Sequence, residues 1–245
     1  MKTTVYAMII CVVLFSCNKE KSPDCFQKAG NNTTIKRSIE EFDAIELRDL
    51  IDIELVDSTA YFVEISGPQN LLPEIETTVT GGKLHIQNNN SCNFVRSFKN
   101  KIKVRIYAPE FPEIQNYSTG NIKSKGRITC NSFKLENRNA AGQIELDVSV
   151  DSMTVATHTG VCDVIVRGES HITTLFNQGV GKIDARGLIT QDAFVNNSSI
   201  NDVYVNTNGY FFALIEFSGN IFYSGTPNHI DQDIKGDGRL VPIAL

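Results

Sequence analysis

Gly120-Asn121-Ile122, Gly142-Gln143-Ile144, Cys162-Asp163-Val164, Gly181-Lys182-Ile183, Asn201-Asp202-Val203 and Gly219-Asn220-Ile221 are six versions of one phrase. Its β-branched residue returns after 22, 20, 19, 20 and 18 residues. A second glycine often follows four residues later, as Gly126, Gly168, Gly187 and Gly225. A period near 20 with glycine at both ends of an alternating apolar stretch is the pattern of a parallel β-solenoid. A β-sandwich also has closely spaced strands, but it does not require one phrase in one register six times. No long stretch carries a 3.6-residue period, so the class is all-β.

Alternation along a strand assigns the faces. Ile144 and Leu146 point inward, as do Val164 and Val166, Ile183 and Ala185, Val203 and Val205, and Ile221 and Tyr223. Two residues before each aliphatic lies a tight or crowded corner, held by Gly120, Gly142, Gly181 and Gly219, with Cys162 and Asn201 as the exceptions. Nine residues before the aliphatic, Leu135, Val155, Thr174, Phe194 and Phe212 offer a second strand.

Two outward columns result. One is a polar ladder of Asn121, Gln143, Asp163, Lys182, Asp202 and Asn220. Its Asp163–Lys182–Asp202 centre reads as charges neutralising one another on a solvated face, each pair contributing about 0.2–1 kcal/mol. The other column ends in Ile165, Asp184, Tyr204 and Phe222, a candidate surface for stacking sugars or contacting a protein, unless the C-terminal segment covers it.

The flanks define compartment and boundaries. Lys2, the apolar run from Ala7 to Phe15 and Leu14-Phe15-Ser16-Cys17 form a lipoprotein signal, with Cys17 as the lipidated residue. The apolar run is too short to span a bilayer. Asn18-Lys19-Glu20-Lys21-Ser22-Pro23-Asp24 is a charged tether. The chain divides into a signal peptide 1–16, a flexible tether 17–38, a solenoid domain 39–225 with irregular N-terminal strands, and a C-terminal cap segment 226–245. Cys25 and Cys92 lie in polar, loop-like surroundings of a compartment that permits disulfides, so the two can bridge. Cys162 reads as a buried free thiol.

The charge of −5 gives no basic footprint for nucleic acid. His85, His158, His171 and His229 form no metal motif, and no C-x-x-C is present. No cofactor is implied.

The succession Phe42…Ile45, Val63-Glu64-Ile65-Ser66-Gly67, Asn70-Leu71-Leu72, Gly82-Lys83-Leu84-His85-Ile86, Val104…Ile106…Pro109 and Ile114…Gly120-Asn121-Ile122 resembles the putative auto-transporter adhesin, head GIN domain family. The resemblance covers about residues 40–225. It departs at Cys162 and Asn201, where that repeat usually carries glycine. It implies a right-handed parallel β-solenoid, a single-stranded β-helix of pectin-lyase-like outline, in a Bacteroidetes-type lipoprotein. It supplies no catalytic residues. The functional expectation is a non-catalytic, adhesin-like outer-membrane lipoprotein of the cell envelope. Lipid on Cys17 holds it to the membrane, and the solenoid binds a glycan or a cell-surface protein. The rivals are a polysaccharide-active enzyme on the same fold and a structural protein that self-associates into homo-oligomers.

Replacing Cys17→Ser should release the protein from membranes or block its maturation. Labelled fatty acid entering the variant as it enters the parent would rule out Cys17 as the lipid site.

Overall fold

The computed structural model of the chain describes residues 29–90 and 101–244. Cys17, Cys25 and Cys92, and with them the lipidation and disulfide expectations, lie outside the described residues.

The irregular N-terminal strands are β1 (Asn32–Ser38), β2 (Ala44–Asp49), β3 (Asp52–Asp57), β4 (Phe62–Pro68), β5 (Ile75–Thr80), β6 (Lys83–Asn88) and β7 (Lys103–Ala108). The repeats comprise β8 (Glu113–Ser118), β9 (Ile122–Lys125), β10 (Ile128–Asn137), β11 (Gln143–Thr157), β12 (Asp163–Asn177) and β13 (Ile183–Asn197). They continue through β14 (Val203–Thr207), β15 (Tyr210–Ile215), β16 (Ile221–Ser224), β17 (His229–Ile234) and β18 (Leu240–Pro242). The result is a parallel β-solenoid of about six turns. No α-helix occurs among the described residues, and none of their segments is a helix long and apolar enough to cross a membrane.

The phrase pairs with itself in the register its spacing predicts. Ile53, Ile122, Ile144, Val164, Ile183, Val203 and Ile221 stand opposite one another in consecutive parallel strands. All seven are buried. The facing column is Ile45, Ile114, Leu135, Val155, Leu175, Val195 and Ala213, equally buried. Burying one such aliphatic contributes about 1.5–3 kcal/mol, and the two columns form the core between the faces.

The second column differs from the expected one. Thr174, Phe194 and Phe212 pair with each other, but on the outward side, and Phe194 is 39% exposed. The reason is a change in coil geometry at β13. Val155 precedes Val164 by nine residues, whereas Leu175 precedes Ile183 by eight. That corner lost one residue, and a bulge restored it: Ile165 pairs Asp184 but Arg167 pairs Gly187. A bulge inserts one residue in one strand, so a fixed offset of nine slips by one from the third coil onward.

Both ends differ from the expected boundaries. Residues 32–38 are not tether: they form β1, antiparallel to β4 along its whole length. Its polar composition hides the anchoring, which Arg37 provides by donating from Nη2 to the Leu72 carbonyl and from Nη1 to Thr77 Oγ1. At the other end, 226–244 does not leave the repeat. β17 pairs in parallel with β15, and β18 with β16, placing Leu240 over Ile221. The last described coil lacks the aliphatic density of the phrase, and β17 is exposed throughout.

At the N-terminal end, β2–β3 lie between β6–β7 on one side and β8–β9 on the other, out of chain order. Antiparallel β4 and β5 then cover β7 and β6. The Gly81-Gly82 hairpin makes this possible, with φ of 59° and 74° at its two glycines.

The corner column explains its own glycines. A Cβ on Gly181 would sit 1.9 Å from the Cys162 carbonyl oxygen, and one on Gly120 at the same distance from that of Ile51. Gly142 and Gly219 are similarly close to Gly120 and Asn201. Cys162 keeps its side chain in the corner by burying it, and burial pushes its thiol pKa up to about 12.

Beneath these corners runs a column the phrase did not reveal: Asn116, Asn137, Thr157, Asn177 and Asn197, all buried. Asn116 Nδ2 donates to Asn137 Oδ1, and Thr157 Oγ1 to Asn177 Oδ1. Asn177 and Asn197 donate to the corner carbonyls of Gly181 and Asn201.

Gly181→Val should lower unfolding free energy by about 1–3 kcal/mol, because the carbonyl beneath cannot move without breaking the ladder. Denaturant unfolding at the parent's midpoint would refute this corner geometry.

Candidate binding surface

The polar ladder stacks in the expected register, but its bonds are of another kind. Lys182 Nζ lies 3.9 Å from Asp184 Oδ2, in the neighbouring column, and forms no ion pair with Asp163 or Asp202. Instead, wherever the position holds Asp or Asn, its side-chain oxygen accepts the main-chain N–H of the same position one coil on. Asp52 accepts from Asn121, Asn121 from Gln143, Asp163 from Lys182, Asp202 from Asn220, and Asn220 from Arg239, all at 2.9–3.0 Å. Gln143 and Lys182 make no such bond among the described residues. Their side chains are too long for that short reach, and Asp163 N–H turns to the Gly142 carbonyl instead. The expected charge stack is thus an Asx ladder that satisfies corner N–H groups.

The adjacent outward row is continuous across the molecule. It runs Lys36, Glu64, Arg105, Glu54, Lys123, Glu145, Ile165, Asp184, Tyr204, Phe222 and Val241, each opposite the next. Its first six members alternate in charge. Arg105 pairs with Glu54 at 2.6 Å and with Glu64 at 3.5 Å, and Lys123 with Glu145 at 3.3 Å. Burial works to raise the Glu54 pKa, but hydrogen bonds from Lys103 and Arg105 outweigh it and hold the carboxyl below its ordinary value. This half of the row neutralises itself.

The other half brings together the four residues singled out in the sequence. Asp184 is held by Arg186, whose Nε and Nη2 donate at 2.9 and 2.6 Å, and chiefly for that reason its pKa lies below the usual aspartate value. Tyr204 and Phe222 stack with ring centroids 4.9 Å apart and planes 13° apart. The Arg186 guanidinium lies 4.5 Å from the Tyr204 ring centre. One face of each ring is therefore taken by the other, and Arg186 lies against Tyr204. The C-terminal segment does not lie over the pair: Val241 stands beside Phe222 as the next member of the row. Ile165 is half-buried on the far side of Asp184. Arg186 was not singled out in the sequence, because its place depends on the bulge in β13.

The histidines are dispersed. His85 lies 3.6 Å from Glu46, His229 stacks on Tyr210, and His158 packs against Phe176, where burial lowers its pKa. Among the described residues no three His, Cys, Asp or Glu side chains are grouped so as to hold a metal ion.

If the ladder is an Asx ladder, Asp163→Ala should cost about 0.5–1.5 kcal/mol by orphaning the Lys182 N–H. Lys182→Ala should cost less, with only the small salt dependence of its 3.9 Å pair with Asp184. Urea titrations at low and high salt decide, and a larger, salt-dependent loss at Lys182 would restore charge pairing.

No curated protein matches the sequence. Solved structures do. A putative adhesin from Bacteroides fragilis NCTC 9343 superposes with a TM-score of 0.81 at 25% identity, covering 87% of this chain and 97% of that one. A putative adhesin from Parabacteroides distasonis ATCC 8503 gives 0.66 at 20%, covering 87% and 98%. A protein from the same strain described as a putative lipid binding protein gives 0.64 at 19%, covering 88% and 98%. The family described as "Putative auto-transporter adhesin, head GIN domain" matches residues 41–227, which span the corner column, the Tyr204–Phe222 stack and all of the self-paired charge row except Lys36. The chain belongs to that family.

Proposed function

We propose that the protein is a non-catalytic, lipid-anchored adhesin of the cell envelope, fixed at the outer membrane through Cys17, whose outward row binds a cell-surface protein. One observation carries the reading. The row cancels its own charges over six strands and then ends in Tyr204, Phe222 and Arg186 beside Ile165 and Val241. Tyrosine and arginine next to half-buried apolar groups are the chemistry of a protein contact centre. Stacking on sugar is favoured by open ring faces, and here one face of each ring meets the other while Arg186 lies against Tyr204. Membership of an adhesin-like family and the likeness to the Bacteroides fragilis adhesin agree with this reading.

The double substitution Tyr204→Ala with Phe222→Ala should leave the melting temperature near the parent's and remove most binding to intact cells. The component so lost should vanish when the cells are treated with protease and survive mild periodate. Binding that persists in the double variant, or a lost component that is periodate-sensitive, would refute the assignment. Release of reducing ends from a polysaccharide panel would overturn the non-catalytic reading.

A further inference from the structure

Strands β11, β12 and β13 are each 15 residues long and bend once. At the bend one residue per coil drops out of the ladder: Cys130 pairs Val150 and Ser132 pairs Ser152, while Asn131 and Asp151 pair nothing. The bend leaves an open groove of about 680 Å³ along the solenoid axis, ending near Glu110 and Asn208. One wall carries Thr129, Ser149, Glu169 and Ile189, mutually in register. The other carries Asn131, Asp151, His171 and Gln191. Both sets recur at a step of twenty residues, as does the inward column Leu135, Val155, Leu175 and Val195.

The polar groups here differ from those on the paired face. Among the described residues, the side chains of Thr129, Asn131, Ser149, Asp151, His171 and Gln191 form no hydrogen bond or ion pair. Glu169 has one distant cation, Arg127 at 3.8 Å. Donors and acceptors are thus left over on both walls, with Ile189, 54% exposed, as an apolar step between them. A few convergent polar groups around apolar surface make a ligand site.

The spacing and charge select the ligand. Wall positions repeat at the strand spacing, about 4.8 Å, whereas a peptide strand repeats on one side only every ~6.8 Å, so a peptide falls out of step after one coil. A hexopyranose unit in an extended chain is close to one coil step in length. Glu110, Asp151 and Glu169 make the groove acidic, which disfavours uronates and sulfated or phosphorylated chains. We infer that the groove between the Thr129–Ile189 and Asn131–Gln191 walls binds an extended, uncharged oligosaccharide, one hexose per coil. This site lies four residues along the strands from Ile165 and does not involve the Tyr204–Phe222 stack.

The test is calorimetric titration of the full-length protein with cellotetraose, β-1,4-mannotetraose and chitotetraose, with tetragalacturonate and an oligolysine peptide as charged comparisons. At least one neutral tetrasaccharide should bind. Asn131→Ala with Gln191→Ala, both solvent-exposed positions, should weaken that binding by about tenfold or more at an unchanged melting temperature. A second variant, Thr129→Arg, should block the groove by bulk. Tyr204→Ala with Phe222→Ala should leave this binding intact. The inference fails if none of the three neutral sugars binds, if binding survives both groove variants, or if tetragalacturonate or oligolysine binds in preference.

Discussion

Where Gly181 passes over Cys162, the carbonyl oxygen of the lower coil occupies the space a Cβ would need. Coil stacking depends on such contacts. Parallel strands pair only at the ladder spacing, and the chain can turn from one face to the other at that spacing only if the corner carries no obstructing atom. Gly120, Gly142, Gly181 and Gly219 meet the condition by having no side chain. The same corners expose main-chain N–H and C=O groups that neither face can pair. The Asx ladder takes the N–H groups from outside, and the buried asparagines take carbonyls from within. An unpaired buried backbone group costs roughly 1–3 kcal/mol, so the buried asparagine column follows from the corners.

The outward faces divide by how completely their polar groups are used. From Lys36 to Glu145 each charge has an opposite neighbour across the ladder, and little is left to attract a partner. From Ile165 to Val241 the row is apolar and aromatic, with Asp184 already held by Arg186. In the bend groove polar side chains stand free of one another. Surfaces of these three kinds on one rigid scaffold suit a binding protein. Asp163 and Asp202, on the polar ladder, are engaged as acceptors for backbone N–H groups.

The β-solenoid was legible because its constraint is local and repeated. Each coil presents an aliphatic inward at the same place in all six phrases, and four of the six carry glycine at the corner and four a short Asn or Asp beside it. The candidate row was legible for the same reason: Ile165, Asp184, Tyr204 and Phe222 sit one residue past the aliphatic. Asparagines at 116, 137, 177 and 197 recur at nearly the same period, and that recurrence was a readable signal of the buried column. It was obscured because asparagine reads as a loop residue until its carbonyl partners are known.

Periodicity by itself determined the fold, the inward column of the phrase and the order of residues along it. It could not determine what depends on coil-to-coil differences or on bond direction. A corner one residue shorter, offset by the bulge in β13, moved Phe194 and Phe212 to the outer side and brought Arg186 to Tyr204. The Asx ladder replaced the charge stack because a short side chain reaches the N–H above it while the lysine ammonium finds Asp184. β1 and the final coil were settled by pairing partners distant in sequence, which composition does not reveal. Sequence spacing carries the average coil; only the folded chain shows where a coil departs from the average, because a bulge, a hydrogen-bond partner and an unpaired edge are relations between coils.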